Sequence, residues 1–594
     1  MTGTKNVNGS YDVLVVGAGA GGLVAANRAH DLGLRVLLVE KSDRFGGTSA
    51  VSGGAIWVPN NPDNAARDSK EEALTYLKAC TKGEVAEDRL MAYIDNAPDV
   101  VRYMAEKVGQ RFISVPEYPD YYPTLPGAKA GGRTMDPAPV DGSKLGEIFF
   151  QLREPYSLMK MMGRVSMTVS EARAFTSKKP GWQTMLLKVL LGYWLDFSWR
   201  LKTRRDRRLT MGNATTGGLL KGLVERNVEM LRNTQLVRLV EEGGRVTGAV
   251  LSQDGHEYAV DVRKGVILAA GGFERNQVMR EQYLPQPTEQ KWSITPMVNN
   301  TGDAIRAGIE IGAAVEFMHY AWWTPSMRLP SKDTPNTETR VGLFMERAFP
   351  GSVCVNRLGR RFANEAMSYN DFGYAMIADN EKTGANAPCW LVFDATFRRK
   401  YICGGLLPGA VAPDSSLPPE WVDNVFYRAD TVEALAGKIG VDKAALAETV
   451  QRMNSYAATG IDPEFSRGGN VYDRYFGDNA VKPNPCLGPI EKAPFYAVRV
   501  DLGDIGTKGG LKVDAKARVL SERGEVIRGL YAVGNCSAAV TADSYPGAGA
   551  TLGPAMTFGY IAANDIASSM SNRTVEELAA TGTTPGFRSV ATGD

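Results

Sequence analysis

The chain has 594 residues, of which 44% are apolar and 23% are charged, so it can bury a large core in at least two domains. Its 68 lysines and arginines nearly balance its 66 aspartates and glutamates, which excludes nucleic-acid binding through overall charge. The 3 histidines lie far apart in sequence, so a histidine-rich metal site or a Ser-His-Asp triad is hard to assemble, and we predict no metal.

The cysteines and the N-terminal segment indicate a cellular compartment. Six cysteines are scattered without paired spacing, which is typical of reduced thiols. The segment MTGTKNVNGSYD is polar and has no signal-peptide pattern. We therefore expect a cytoplasmic protein.

The N-terminal region has the pattern of a dinucleotide-binding βαβ unit. The stretch YDVLVVGAGAGGLVAANRAHDLGLRVLLVEKS predicts a strand at 13–16, a helix at 23–32 and a strand at 36–39. The turn before the helix reads G-x-G-x-x-G, which allows a tight turn, a close approach of backbone to a pyrophosphate, and close helix packing. The helix N-terminus then faces the phosphates with its positive end. Glu40 ends the second strand, where its carboxylate can accept a hydrogen bond from a ribose hydroxyl.

Further glycine-rich segments favour FAD over NAD. KSDRFGGTSAVSGGAIWVP, directly after Glu40, allows a second close approach of backbone to an extended ligand, and the strands in GVILAAGGFERN and GLYAVGNCSAA also end in glycine. Since GGTSA contains no histidine, we expect non-covalent FAD. The candidate cofactor-binding residues are Gly17, Gly19, Ala20, Gly21, Gly22, Glu40, Lys41, Gly46, Gly47, Thr48, Ser49, Gly53, Gly54, Ala270, Gly271, Gly272, Gly534, Asn535, Thr551 and Leu552.

The stretch SYPGAGATLGPAM, residues 544–556, places a tyrosine beside three closely spaced glycines. A phenol hydroxyl and a glycine amide without a neighbouring Cβ can both donate to one carbonyl oxygen of a ligand. Tyr545 and Gly549 are therefore candidates for polarising a ketone. Thr551 and Leu552 are expected to begin a helix whose N-terminus meets the flavin ring.

Taken in order, these motifs resemble the flavoprotein superfamily that includes the flavoprotein subunits of succinate dehydrogenase and fumarate reductase. Within that superfamily, the chain is similar to the bacterial 3-ketosteroid Δ1-dehydrogenases. The matching stretches are PDYY, NTGDAIRAGIEIGAA, AWWTP, GRRFANEAMSYNDFGYAM, DLGDIGTKGGL and SYPGAGATLGPAMTFGYIAA, which span nearly the whole chain.

The resemblance implies an FAD-dependent 1,2-dehydrogenation of 3-ketosteroids, with C1 hydride passing to flavin N5. It assigns the steroid C3 carbonyl to Tyr545 and Gly549, removal of the C2 proton to Tyr369 as a tyrosinate, and assistance to Tyr121. Tyr122 replaces Tyr121 if the PDYY match slips by one residue. A tyrosinate near neutral pH needs its pKa lowered by hydrogen bonds or positive charge.

Several alternatives stay open. A Δ4-specific steroid dehydrogenase or another cyclic-ketone dehydrogenase fits the same tyrosine and glycine pattern. A fumarate-type reductase binds dicarboxylates with histidine and arginine, whereas tyrosines occupy the matching segments here. The non-enzymatic alternative is a membrane-attached flavin-binding partner.

The resemblance also implies an α/β fold in which a two-part Rossmann-like FAD-binding domain holds an inserted α+β catalytic domain. We predict the FAD-binding domain at 1–320 and 493–594 and the catalytic domain at 321–492. The insert lies where it can cap the flavin and close a pocket at the domain boundary.

An additional segment at 140–216 contains GWQTMLLKVLLGYWLDFSWRLKTRRDRR, residues 181–208. This run is too short and too polar for a transmembrane helix. It favours an amphipathic helix that inserts Trp and Leu into one leaflet while its basic end meets anionic head groups. The protein would then be peripheral on the inner face of the cell membrane, close to a quinone-type electron acceptor. The alternative is a helical hairpin packed on the protein, and without a recognisable reading module we predict no nucleic-acid partner.

Overall fold

The computed structural model describes residues 10–176, 180–295, 298–330 and 340–580, and the statements below refer to these ranges. Two β-sheets with helices on their faces form the framework. The α-helices are Ala20–Asp31, Lys70–Thr81, Glu87–Tyr103, Val169–Thr176, Trp182–Trp194, Phe197–Arg200, Met211–Glu225, Gln277–Tyr283, Asp303–Glu310, Tyr369–Thr383, Ala395–Lys400, Val432–Ile439, Lys443–Thr459, Val471–Phe476 and Leu552–Ala580.

The larger sheet has eight strands and is built around the predicted βαβ unit. Five strands run parallel, in the order Val526–Ala532, His256–Leu268, Tyr11–Val16, Val36–Val39 and Glu229–Leu231. Three further strands pair antiparallel at the margins, namely Arg518–Leu520, Thr234–Glu242 and Arg245–Gln253. Every residue of the first strand is buried, as expected where helices cover both faces of a parallel sheet. The predicted α/β class is confirmed.

The first helix, Ala20–Asp31, begins three residues before the predicted start because the fingerprint glycines belong to its first turn. A Cβ on Gly21 would lie 2.8 Å from the carbonyl oxygen of Ala555, so only a glycine allows this close packing. The N-terminal helix therefore lies directly against the C-terminal helix Leu552–Ala580. This contact brings the fingerprint and the segment after Tyr545 to the same side of the sheet.

The second sheet has six strands, and all of its pairings are antiparallel. Five strands follow the order Arg340–Gly342, Ala321–Arg328, Phe495–Thr507, Cys389–Phe393 and Ser352–Val355, and Tyr427–Ala429 pairs beside them with Phe495–Thr507. The remaining strands form small sheets: Ile56–Trp57 with Thr134–Pro137 and Phe112–Ser114, Val140–Asp141 with Arg208–Leu209, and Val315–Glu316 with Gly510–Leu511.

The long strand Phe495–Thr507 lies at the predicted boundary, near residue 493, where the chain returns to the FAD-binding domain. It pairs on one side with Ala321–Arg328 and on the other with Cys389–Phe393. The chain re-enters the larger sheet only with Arg518–Leu520. The domain division stays a prediction, and this pairing favours a return point after Thr507.

The predicted single helix at 181–208 is wrong. Trp182–Trp194 and Phe197–Arg200 are separate helices, and residues 201–207 are not helical. The chain folds back because Trp199 Nε1 donates to the carbonyl of Arg205 (3.0 Å) and the Tyr193 hydroxyl donates to the carbonyl of Arg204 (2.7 Å). These bonds satisfy the polar ends of two buried aromatic side chains inside a short hairpin.

The basic end of this segment is only partly a surface feature. The Arg205 guanidinium turns inward and donates to the carbonyls of Phe149 (2.9 Å) and Leu152 (3.0 Å) and to Asn213 Oδ1 (2.9 Å). Burial lowers its pKa to about 10. Lys202 and Arg204 remain exposed. Within the described ranges, every helix is too short or too polar to cross a lipid bilayer.

Candidate active site

Three tyrosines from distant parts of the chain meet at one buried point. The hydroxyls of Tyr121 and Tyr369 are 3.4 Å apart. The ring centroid of Tyr545 lies 5.1 Å from that of Tyr121 and 5.3 Å from that of Tyr369. The three side chains are 5%, 8% and 3% exposed for Tyr121, Tyr369 and Tyr545. The structure thus brings together three of the four predicted catalytic residues through their side chains.

Two of these tyrosines lie in loops, and the third is the first residue of a helix. Tyr369 is the first residue of helix Tyr369–Thr383, and Ser368 caps that helix by accepting from the Asp371 N–H (3.2 Å). Tyr121 lies in the loop that precedes strand Thr134–Pro137, and Tyr545 lies in the loop that precedes helix Leu552–Ala580. The reactive groups are therefore held on loops that rigid elements position.

Gly549, the fourth predicted residue, supplies backbone rather than a side chain. Its φ is +95°, and a Cβ there would lie 2.5 Å from the backbone of Ile56. A Cβ on Gly547 would lie 2.3 Å from the Trp57 ring. These glycines are thus needed to pack the loop against strand Ile56–Trp57, a reason that the sequence interpretation missed. The Gly549 amide interacts with the Tyr545 hydroxyl, so both candidate donors meet at one place.

Burial is the main influence on these phenols. It raises the pKa of Tyr121 and of Tyr369 well above the usual value for tyrosine. The hydrogen bond with Tyr121 lowers the pKa of Tyr369, whereas Tyr545 raises it. Burial also raises the pKa of Tyr545, against the lowering effect of Tyr369, Thr551 and the Gly549 amide. The chain by itself therefore keeps the phenols protonated, which suits Tyr545 as a donor and leaves Tyr369 to be activated by the completed site.

The structure settles which tyrosine of PDYY faces Tyr369. The Tyr122 hydroxyl turns away, donates to Asp371 Oδ1 (3.2 Å) and accepts from the Tyr545 N–H (2.9 Å). Tyr121 therefore faces Tyr369 whereas Tyr122 does not, and the catalytic role of Tyr121 stays a prediction.

Sequence reasoning missed several aromatic residues around this cluster. Tyr118 stacks on Tyr121 (centroids 6.4 Å apart), and Phe344 meets Tyr369 edge-on (5.0 Å). Trp322 meets Tyr545 edge-on (4.9 Å). Trp322 lies within AWWTP and Tyr118 lies three residues before Tyr121, so both positions were near recognised motifs. Their spacing in the sequence did not indicate that they surround the same cluster of tyrosines.

Two glycines of the G-x-G-x-x-G pattern are required by the packing of the protein's own backbone. A Cβ on Gly17 would lie 2.4 Å from the Ala269 carbonyl oxygen, and one on Gly22 would lie 2.1 Å from the Gly17 carbonyl oxygen. Both would collide with backbone, which cannot move aside cheaply. These two glycines set the turn and the helix packing that the G-x-G-x-x-G pattern predicts.

Other glycines have an open face. The nearest described protein atom to a Cβ on Gly19 would be Ser49 Oγ at 3.6 Å, and a Cβ on Gly53 would meet none within 4 Å. A Cβ on Gly47 would lie 3.6 Å from Gly19 Cα, and a Cβ on Gly534 would lie 3.5 Å from Ala555 Cβ. Gly47 (φ +51°) and Gly534 (φ +63°) are favoured by their left-handed backbone conformation. Gly19 and Gly53 have neither a positive φ nor a close described neighbour that requires a glycine, so their bare backbone fits a ligand that approaches closely. The residues present therefore fit an extended dinucleotide.

The polar candidates are held in fixed positions. Glu40 Oε2 accepts from the Ala18 N–H (3.0 Å), which keeps the carboxylate beside the glycine turn. Ser49 Oγ accepts from the Ala20 N–H (3.1 Å) at the start of the first helix. The Lys41 ammonium is bound to Asp303 (2.6 Å) instead of extending freely. The cofactor-binding roles of these residues stay predictions.

A small cavity of ≈ 20 Å³ lies beside some of the candidate cofactor-binding residues. It is lined by Gly534, Asn535 and Thr551 from the cofactor set and by Trp322 from the aromatic wall. Trp322 Nε1 donates to Asn535 Oδ1 (3.2 Å). Among the described residues, no group of three or more His, Cys, Asp or Glu side chains is arranged to hold a metal ion.

Comparisons with known proteins agree with this geometry. Residues 12–552 match the family model described as the FAD binding domain. The 3-oxosteroid 1-dehydrogenase of Comamonas testosteroni is 40% identical over 567 residues, which cover 94% of this chain and 96% of that protein. A 4-oxocyclohexanecarboxylate 2-dehydrogenase of Sinomonas cyclohexanicum is 35% identical, covering 94% of this chain and 93% of that protein. The crystal structure of 3-ketosteroid delta1-dehydrogenase from Sterolibacterium denitrificans, in complex with 1,4-androstadiene-3,17-dione, is 53% identical with a TM-score of 0.91, covering 94% of this chain and all of that one.

The fold and the site together define a flavoprotein oxidoreductase whose cofactor is FAD. More narrowly, the chain belongs to the family of the 3-oxosteroid 1-dehydrogenases.

Proposed function

We propose that this enzyme removes hydrogen from C1 and C2 of 3-oxosteroids and so forms the 1-ene-3-oxosteroid. The observation that carries the proposal is the convergence of Tyr121, Tyr369 and Tyr545 with the Gly549 amide on one buried point. Dehydrogenation beside a ketone requires a polarised carbonyl, a base for the α-proton and an acceptor for hydride. FAD, when bound, supplies the hydride acceptor.

Tyr545 and Gly549 polarise the C3 carbonyl in this proposal. The Gly549 N–H is hydrogen-bonded to the Tyr545 hydroxyl, so the two groups lie side by side, and both are donors that need no proton transfer to act. As C2 loses its proton, the C3 oxygen gains enolate charge. Donors fixed beforehand in a water-poor site stabilise such charge strongly.

Tyr369 takes the C2 proton, and Tyr121 shares it. Their hydroxyls are 3.4 Å apart, so a small approach places a proton between them. A hydrogen bond from Tyr121 favours the anionic form of Tyr369, consistent with the direction of its effect on the pKa of Tyr369. Tyr118 continues the same row of phenols towards the edge of the site.

The aromatic wall favours a ketone carried on fused alicyclic rings. Tyr118, Trp322 and Phe344 present ring faces and edges to the cluster. Such surfaces bury apolar carbon well, whereas a dicarboxylate would need cationic partners to offset its desolvation. A smaller cyclic ketone is the second candidate substrate, because the Sinomonas cyclohexanicum relative described above is named for one.

Anaerobic mixing tests the proposal. Purified holoenzyme is combined separately with androst-4-ene-3,17-dione, cholest-4-en-3-one, 4-oxocyclohexanecarboxylate and fumarate while flavin absorbance is followed. We expect bleaching by a steroid ketone and a product with a 1,2 double bond. Bleaching by the cyclohexane ketone alone would favour the second candidate, and reoxidation of pre-reduced flavin by fumarate would favour a reductase. Failure of every steroid to bleach bound flavin would contradict the proposal.

We also propose that the 182–201 hairpin docks on an anionic lipid bilayer. Its outer surface carries large apolar side chains that solvent reaches, namely Leu187 (57% exposed), Leu191 (44%), Trp194 (49%), Leu195 (60%), Phe197 (68%) and Leu201 (90%). Lys188, Lys202 and Arg204 are exposed around them. An apolar surface ringed by basic residues fits a leaflet with acidic head groups. From such a surface, a lipid-soluble quinone would be an accessible electron acceptor.

Sedimentation with vesicles tests the docking. Vesicles of phosphatidylglycerol should carry the enzyme down at low salt, and vesicles of phosphatidylcholine should carry less. Phe197→Glu with Leu201→Glu should abolish binding and leave flavin content unchanged. Val278→Glu with Ile461→Glu, at positions that are 73% and 68% exposed elsewhere, is the matched control. Equal binding by both double variants would contradict the proposal.

A further inference from the structure

Tyr122 lies beside a predicted catalytic tyrosine but points in another direction. Its hydroxyl accepts from the Tyr545 N–H (2.9 Å) and donates to Asp371 Oδ1 (3.2 Å). Its own N–H donates to the Tyr76 hydroxyl (3.2 Å), and that hydroxyl donates to the Pro546 carbonyl (2.7 Å). One phenol therefore has both of its main hydrogen-bonding directions occupied by protein.

These bonds join the three chain segments that carry the active-site phenols. Tyr122 follows Tyr121 directly. Asp371 is two residues after Tyr369, in the first turn of the same helix, and is bonded to the capping residue Ser368. The third partner is the backbone of Tyr545 itself.

The backbone around Tyr545 is held from several further directions. Lys508 Nζ donates to the carbonyls of Asp543 (2.5 Å) and Ser544 (2.8 Å). The Tyr121 N–H donates to the Pro546 carbonyl (2.9 Å). The bond from Tyr545 N–H to Tyr122 is thus one of a set. It connects this loop with the Tyr369 helix through Asp371, beside a second connection from Asn370 Nδ2 to the Asp543 carbonyl (3.0 Å).

We propose that Tyr122 is a positioning residue that sets the separations among the hydroxyls of Tyr121, Tyr369 and Tyr545. This inference rests on the proposed dehydrogenation. The hydroxyl touches none of the three reacting groups, so it acts by fixing the loop of Tyr545 against the helix of Tyr369. A displacement of ~1 Å in a catalytic group can cost about 100-fold in rate.

Tyr122→Phe tests the inference because it keeps the ring and removes only the two bonds. We expect the rate of flavin reduction by androst-4-ene-3,17-dione to fall by about 10- to 100-fold, with KM changed by less than about threefold and flavin content unchanged. Tyr374→Phe is the matched control, since it removes a phenol hydroxyl from the Tyr369 helix, where the ring packs on Tyr320 and Trp323. That control should retain the wild-type rate.

A double-mutant cycle separates positioning from general destabilisation. Asp371→Asn weakens the acceptor of the Tyr122 hydroxyl, and if both changes act through one bond, the double variant should be little slower than the slower single variant. Independent, multiplying losses would overturn the inference, as would a wild-type rate in Tyr122→Phe. If wild-type flavin is not reduced by any steroid, the proposed function fails and this inference fails with it. If wild-type flavin is reduced but Tyr122→Phe matches it, only the inference fails.

Discussion

Lys508 carries the sharpest prediction about stability. Its side chain is 0% exposed, its ammonium donates to the carbonyls of Asp543 and Ser544, and it lies 4.4 Å from the centre of the Trp322 ring. Burial lowers its pKa to about 7, against the raising effect of Asp543 and Asp371. Lys508→Met keeps the length of the side chain and removes the titrating group.

The sign of the effect follows from proton binding in the two states. An unfolded chain holds the lysine proton up to a pH of about 10.4. The folded protein releases it near pH 7. Between these values the unfolded state binds more protons, so the free energy of unfolding rises with pH by about 1.4 kcal/mol per unit. From pH 7.5 to 9.5 the destabilising contribution of Lys508 therefore decreases by about 2 to 3 kcal/mol.

Thermal unfolding of the holoenzyme measures this contribution. With an unfolding entropy of about 2.1 cal/mol/K per residue over 594 residues, 2 to 3 kcal/mol corresponds to a shift of about 2 °C in Tm. The Tm of wild type minus that of Lys508→Met should increase by that amount from pH 7.5 to pH 9.5. Lys82→Met is the control, because Lys82 is 67% exposed and pairs with the same Asp543. An identical pH response in wild type and Lys508→Met would refute the reasoning.

Three further predictions concern single positions. Tyr369→Phe should keep FAD bound and lower turnover by about 100- to 10,000-fold, measured as flavin reduction and product formation; full activity would remove Tyr369 from the mechanism. Gly549→Ala should lower both kcat/KM and Tm, because its Cβ would meet the Ile56 backbone at 2.5 Å and displace the amide. An unchanged kcat/KM would contradict the role of that amide. Arg205→Met should lower the free energy of unfolding by about 2 to 4 kcal/mol through buried carbonyls left without donors, whereas Arg204→Met should change it little.

The larger sheet was predictable from local sequence. A strand, a glycine turn, a helix and a second strand follow one another within thirty residues, and each signal depends on neighbours in the chain. The glycines carry this information because Gly17 and Gly22 are needed by backbone geometry itself. Strand order and the place where the chain leaves the second sheet depend on pairing between distant segments, which periodicity does not encode.

The resemblance named the candidate catalytic tyrosines, whose roles stay predictions, but it did not name the residues that support them. Trp322 packs on the Tyr545 ring, Lys508 donates to the Ser544 carbonyl and Asp371 accepts from Tyr122, and each of these contacts joins residues far apart in sequence. Arg205 is a further residue whose contacts the sequence did not indicate. A run of basic residues predicts a solvated surface, but the Arg205 side chain turns inward. In each case the sequence did not indicate the direction in which the side chain points.

Burial explains why the phenols and the ionisable groups Lys508 and Asp371 occupy different positions in this site. A buried phenol is costly to ionise but remains a good donor, so a cluster of phenols accommodates a neutral ketone without burying a permanent charge among the reacting groups. The charged groups lie one layer further out, where Lys508 and Asp371 hold backbone and helix instead of substrate. Hydrogen bonds behind the loop thus hold its backbone, and the candidate catalytic phenols lie in front of it. This arrangement explains why the tyrosine loop is rich in glycine: the loop must lie against Ile56–Trp57 on one side and present an amide on the other.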